Sequence, residues 1–301
     1  MSKKLIRFDW AVKKLLRNKA NFVVLEGFMS ELLGFDVKIV QILESESNKQ
    51  DKEDKFNRVD ILVLSENKEL MLVEIQNEAE IDYFHRILYG ASKLITEYIK
   101  EGDGYGSVKK VVSINILYFR LGQGLDYVYE YEGKFVGKHL KDALKPNSWQ
   151  KDKFGIKEVA DIFPKYYIIK VNNFNDVAED TLDEWIYFLK NNEVPENFTA
   201  KGLKEAGEKL RIDQLSEAER KEYEYYKESR WIEKDVIETA EQKGMEKGME
   251  KGMEKGMEKG MEKGKIEVAK NAIKQGFDNQ TIILLTGLNN EQLQALRAEV
   301  D

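Results

Sequence analysis

Apolar residues change their period several times along this chain, and each change marks the edge of an expected element. In residues 6–16, Phe8, Val12, Leu15 and Leu16 recur at helical spacing, and residues 22–33 repeat the pattern until Gly34 stops it. Residues 37–43 are rich in β-branched side chains and predict a strand, followed by a polar loop over 44–55. Two apolar runs, 59–64 and 70–75, flank Ser-Glu-Asn-Lys-Glu and predict an antiparallel hairpin. Residues 83–99 place apolar side chains on one broad helical face, and Gly102, Gly104 and Gly106 end the pattern. Further strands are expected at 111–119, 127–131 and 166–171 and a helix at 183–190, with charged helical sequence from Lys201 onward. The order predicts a mixed sheet flanked by helices.

The second half follows another logic. Residues 244–263 are five tandem copies of Gly-Met-Glu-Lys. Four residues turn a helix by about 400°, so the Met stripe drifts about 40° per copy and holds no straight seam. Each Gly costs about 1 kcal/mol against Ala. The segment reads as a marginal helix or flexible spacer, ordered by packing against a copy of itself. Its Glu and Lys cancel, which argues against nucleic-acid contact. Three short helices follow at 266–274, 279–285 and 291–298, joined at Gly276 and Gly287, and Asn289 with Gln292 has capping-box form. Their arrangement resembles a helix-turn-helix, but Arg297 is the lone base on the last helix. That favours a docking or dimerisation unit over a DNA reader. The expected divisions are a core over 1–190, a charged arm over 191–243, a spacer over 244–264 and a small helical unit over 265–301.

Composition narrows the chemistry. With no cysteine among 301 residues, disulfides, Cys-zinc sites and thiol nucleophiles are excluded, and a reducing, cytoplasmic setting is expected. Lys13 and Lys14 interrupt any apolar stretch of signal-peptide length, and no run approaches membrane-spanning length. The net charge of −7 is uneven: residues 1–20 hold seven bases against Asp9, a local +6, leaving −13 elsewhere. Lys13, Lys14 and Arg17 on the first helix are therefore candidate phosphate contacts, the alternative being a solvated face.

The hairpin carries the chemistry. Pairing it about Asn67 sets Leu64 opposite Leu70, Val63 opposite Met71, Leu62 opposite Leu72 and Ile61 opposite Val73. The same register puts Asp60 opposite Glu74, with Cβ atoms about 5 Å apart, and Gln76 on the same face. Two carboxylates at that distance repel by about 3 kcal/mol at an effective dielectric near 20. A shared proton, a partner such as Arg58 or Arg86, or a divalent cation can each offset this. Spacing alone leaves the three open.

The ordered motifs are more specific. Phe8-Asp9-Trp10-Ala11 with Lys13-Lys14-Leu15-Leu16, Val59-Asp60-Ile61-Leu62, Val73-Glu74-Ile75-Gln76, Tyr83-Phe84-His85-Arg86 with Tyr89, residues 184–190 (Glu-Trp-Ile-Tyr-Phe-Leu-Lys) and Leu285-Thr286-Gly287-Leu288 occur in sequence. This set resembles the PD-(D/E)XK nucleases, in the branch of nuclease family transposases or recombination-promoting (Rpn-like) nucleases, where Gln stands in place of the superfamily Lys. The resemblance implies an α/β restriction-endonuclease-like core with a C-terminal helical extension, hydrolysing DNA phosphodiesters with Mg²⁺, or Mn²⁺ or Ca²⁺ in its place. It implies that Asp60 and Glu74 hold the cation, with the Ile75 carbonyl as a further ligand, and that Gln76 orients a water or phosphate oxygen. A Gln amide carries no charge and is no general acid.

Glu26 sits where many members of the superfamily have a further metal-linked acid, a solvated surface Glu being the alternative. Arg86 either contacts phosphate or fixes Glu74. His85 has no second ligand nearby to complete a zinc set. The leading expectation is a DNA endonuclease linked to recombination, transposition or mobile elements, forming homo-oligomers through its helical tail. The competing expectation is a nuclease-fold protein that binds DNA or oligomerises without turnover.

Overall fold

The computed structural model describes residues 5–43, 60–99 and 101–300; the loop expected at 44–55, Arg58, Val59 and the side chain of Lys13 lie outside what is described. The chain forms two compact units, 1–220 and 221–301.

Among the described residues, the first unit contains a six-stranded sheet in the order β1-β2-β3-β4-β6-β5, with β1 Ile39–Leu43, β2 Ile61–Ser65, β3 Leu70–Gln76, β4 Val111–Leu117, β5 Val128–Tyr131 and β6 Lys165–Lys170. Strands β1, β2 and β3 pair antiparallel, β3, β4 and β6 parallel, and β5 closes the sheet antiparallel. The hairpin register is the expected one, from Leu64 opposite Leu70 to Ile61 opposite Val73. Lys68, at φ 63°, turns the chain, with its amide on the Ser65 carbonyl at 2.9 Å and Ser65 N on the Glu69 carbonyl at 3.1 Å. A left-handed residue closing a three-residue turn gives the odd loop that this register requires.

Alternation divides the strands between two layers. Leu62, Leu70 and Leu72 pack with Ala91 and Leu94 of α3 (Tyr83–Glu97), the crossover between the parallel strands β3 and β4. Ile61, Val63, Met71 and Val73, on the other face, are equally buried. In the same unit α1 (Phe8–Lys14), α2 (Phe22–Leu33) and α5 (Thr181–Asn191) meet through edge-to-face contacts of Phe8 with Phe28, Trp185 and Phe188. A short helix the periodicity did not suggest, α4 (Ser148–Phe154), starts at a capping box of Asn147 and Gln150, a signal present in the sequence.

The first unit continues past residue 190 into the segment expected to begin the charged arm. Ile6 N donates to the Leu210 carbonyl at 2.7 Å, and α6 (Leu203–Lys209) packs on α2. Gly27 permits that approach: a Cβ there would lie 2.3 Å from the Lys201 carbonyl oxygen. The Glu-Trp-Ile-Tyr-Phe-Leu-Lys motif belongs to this structure. Glu184 accepts from Thr199 N and Ala200 N at 2.7 and 2.6 Å, and Trp185 Nε1 donates to the Lys201 carbonyl at 3.0 Å.

The second unit continues α7 (Glu217–Lys274), in which the Gly-Met-Glu-Lys copies form uninterrupted helix, followed by α8 (Asn279–Thr286) and α9 (Asn290–Val300). Ala269, Ile273, Ile282, Leu288, Leu293 and Leu296 form its core. The capping box is formed, with Asn289 N on Gln292 Oε1 at 3.0 Å and Gln292 N on Asn289 Oδ1 at 2.8 Å. No helix among the described residues is long and apolar enough to cross a membrane.

Candidate active site

Strand β3 outruns β2 by a few residues, and the site lies where its neighbour has ended. Asp60 immediately precedes β2, and the register continued from Ile61 and Val73 sets it opposite Glu74. Its Oδ2 accepts the Ile75 amide at 2.7 Å. Within a strand the N–H and C=O of one residue face the same neighbour, so the Ile75 carbonyl also faces the edge that carries Asp60. Gln76 faces the other way, its carbonyl accepting Tyr118 N at 2.9 Å.

Glu74 shares the parity of Leu70 and Leu72, so it meets α3, and it is only 3% exposed. Arg86, in the first turn of that helix, brings Nη2 to 2.5 Å from Glu74 Oε1, a buried oxygen with no aligned hydrogen bond. Burial pushes the Glu74 carboxyl above its ordinary range; Arg86 opposes the shift, and the charges of Asp60 and Glu80 add to it. Burial alone would lower Arg86, yet Glu74 and Glu80 outweigh it and hold the guanidinium above its usual value. Arg86 Nη1 also donates to Glu80 Oε1 at 2.7 Å, and Gln76 Nε2 donates to the same oxygen at 3.0 Å. Glu74, Arg86, Glu80 and Gln76 thus form one chain of contacts.

Two supports fix this geometry. Tyr83, which opens α3, donates its hydroxyl to Asn115 Oδ1 at 3.2 Å, and Asn115 Nδ2 bonds Ser113 Oγ and the Tyr167 carbonyl at 3.0 and 3.1 Å. Asn115 pairs with Glu74 across the parallel strands, so this buried network sets the helix start over the carboxylate. Burial, and then the charge of Glu74, raise the Tyr83 hydroxyl well above its ordinary value, so it stays a donor. The second support is Asp9 in α1, 1% exposed, which accepts from Arg7 Nε and Nη2 at 3.2 and 3.1 Å, from Trp10 N at 2.9 Å and from Asn77 Nδ2 at 3.2 Å. It ties the first helix to the residue after Gln76.

The remaining candidates divide. Arg17 Nη2 donates to the Asp60 carbonyl at 2.8 Å, and it does so from the turn after α1, which ends at Lys14, rather than from the first helix as expected; Lys14 is exposed. Glu26 is neither solvated nor gathered with the others: its Oε1 accepts Ile39 N at 2.9 Å and its Oε2 pairs with Lys38 at 3.2 Å, fastening the start of β1. His85 is exposed. Sequence reasoning passed over Glu80, Asn115, Asp9 and Asn77. Asp9 had a signal, as the lone acid in a basic segment between Phe8 and Trp10; Glu80, in an irregular connection, had none.

The carboxylates of Asp60, Glu74 and Glu80 outnumber the guanidiniums of Arg17 and Arg86, and a divalent cation would offset that excess negative charge. The donors are hard oxygens, of the kind that Mg²⁺, Mn²⁺ and Ca²⁺ take. Among the described residues no three His, Cys, Asp or Glu side chains are grouped to hold a metal. Asp60 and Glu74 would therefore act with the Ile75 carbonyl and water, a set the residues present fit.

Residues 6–240 match the family described as PD-(D/E)XK nuclease family transposase, and residues 262–298 match that described as Rpn/YhgA-like nuclease family, C-terminal HTH domain. No curated protein and no solved structure matches the chain. The second match assigns the terminal helices to a helix-turn-helix domain rather than the docking or dimerisation unit suggested by their single base. Arg297 is engaged within that unit, its Nε on Asn279 Oδ1 at 2.9 Å and its Nη2 on the Phe277 carbonyl at 3.0 Å. The mixed, helix-covered sheet is a restriction-endonuclease-like fold, and with the larger match spanning well over half its length, the chain belongs to the PD-(D/E)XK nuclease family transposases.

Proposed function

We propose that this protein is a metal-dependent DNA endonuclease acting in recombination or transposition. The observation that carries the reading is the meeting of Asp60 with the Ile75 amide beside buried Glu74, at the strand end where a third oxygen ligand is available. Asp60, Glu74 and the Ile75 carbonyl would hold Mg²⁺ or a similar ion. Bound there, the ion supplies Lewis acidity toward a phosphate oxygen and lowers the pKa of a coordinated water.

Hydrolysis forms one P–O bond from water and breaks another; one of the water's protons leaves with the departing oxygen and the other stays on the new phosphate or passes to solvent. The chain's own residues hold that geometry. Asp60 is oriented by its bond to Ile75, Arg86 keeps Glu74 in place, and Gln76 is fixed through Glu80. Arg17, bonded to the Asp60 carbonyl, and the basic helix that precedes it supply phosphate contacts. The family assignment of the terminal helices supports DNA as the partner.

The test is plasmid nicking by wild type and Asp60→Ala in Mg²⁺ and in EDTA. Cleavage should need both the metal and Asp60, with a loss beyond about a hundredfold, since even residues outside the ligand shell cost 10–100-fold. Gel shifts without any cutting by wild type would replace this reading with that of a DNA-binding protein.

A further inference from the structure

We propose that Glu80 is a positioning residue that fixes the Gln76 amide with its NH₂ toward Glu80, making Gln76 a hydrogen-bond acceptor for the attacking water. This rests on the nuclease reading of the same site. Gln76 Nε2 lies 3.0 Å from Glu80 Oε1, and Arg86 Nη1 reaches that oxygen at 2.7 Å. An ionised carboxylate only accepts hydrogen bonds, and two donors converge on this one. Turning the amide over would bring its carbonyl against Glu80 and leave two acceptors face to face. Because the amide is planar, the orientation that satisfies Glu80 turns Oε1 to the opposite edge. A water that donates a proton to Oε1 has its lone pair directed elsewhere.

The arrangement separates two roles that a single Lys would combine. Gln76 orients the water and takes up no proton. The positive charge comes from Arg86, which is 31% exposed and linked to Gln76 through Glu80 and to Glu74 directly at 2.5 Å. Gln76 and Glu80 are four residues apart but share no helix; Glu80 lies in the connection between β3 and α3. Their contact is therefore a product of how that connection folds back.

The first test needs no metal. In the full-length protein with ¹⁵N-labelled glutamine side chains, the Gln76 NH₂ signals, assigned by their loss in Gln76→Ala, should show one downfield proton protected from exchange. Glu80→Ala should return them to ordinary exposed values. Glu80→Gln, whose carbonyl can accept both bonds, should keep the protection. In Mg²⁺, Glu80→Ala should lower kcat by about ten- to a hundredfold with little change in KM, and Glu80→Gln should recover most of it. Unchanged amide signals in Glu80→Ala, or Glu80→Ala as active as wild type, would overturn the proposal. If Glu80→Ala does not fold, the wild-type and Glu80→Gln signals decide, and Gln76 NH₂ protons at ordinary exposed values in wild type would overturn it. If wild type cuts no DNA the nuclease reading falls, and the amide signals still decide whether Glu80 orients Gln76.

Discussion

The cluster around Glu74 and the Gly-Met-Glu-Lys copies in α7 both crowd acids and bases together, yet they stand on opposite physical terms. At the cluster each charge is held by a particular partner in a protected place, so Glu74, Arg86, Glu80 and Gln76 constrain one another. Along the repeat the side chains are exposed, with Met245 at 78% and Met261 still at 58%. Glycine makes the same contrast. Gly27 is needed because another backbone occupies the space of its missing Cβ, whereas nothing lies within 4 Å of a Cβ built at Gly244, Gly248, Gly252, Gly256 or Gly260 in the copies. One region is specified by tertiary contact, the other by local propensity, and equal substitutions should separate them.

The largest effect is expected at Gly27. Gly27→Ala forces α2 and the Lys201 turn apart and should cost the first unit about 1–3 kcal/mol in denaturant unfolding. A loss no greater than that of an exposed helix glycine would erase the contrast.

Next is Glu74 itself. Its folded pKa is raised, so the native state binds the extra proton and loses stability as pH climbs through that value. In EDTA at neutral pH, Glu74→Gln should therefore melt above wild type, and the gain should fade in acid, where both side chains are neutral. A lower melting temperature for Glu74→Gln at neutral pH would mean that the Arg86 contact outweighs burial. If Glu74 holds the proposed cation, function and stability pull apart at this residue.

The smallest effect belongs to the repeat. Gly252→Ala or Gly256→Ala should raise helix content and add up to about 1 kcal/mol each, measured by circular dichroism and thermal unfolding. A loss instead would show that a partner packs on those positions.

Much of this molecule was legible beforehand because its hairpin is unambiguous: apolar partners on both faces admit one register, and the register carries Asp60 to Glu74. The spacer was harder. Counting four residues to a copy said little about whether it stays helical, and it does. The tie between Glu26 and Ile39 could not be read from the sequence because it joins two different elements. Residues 191–220 looked like the start of a charged arm because their charges were visible and the Gly27 contact that docks them was not.

The amino-acid order by itself determined the strands, the hairpin register, the family motifs and the pairing of the two acids, since each depends on alternation, turn length or neighbouring residues. Tertiary structure alone decided that Arg86 and Glu80 join Glu74 and Gln76, that Asp9 grips Asn77 and that the first unit runs to Arg220. Those contacts form between elements whose approach is set by packing, and no local period encodes which side chains will meet there.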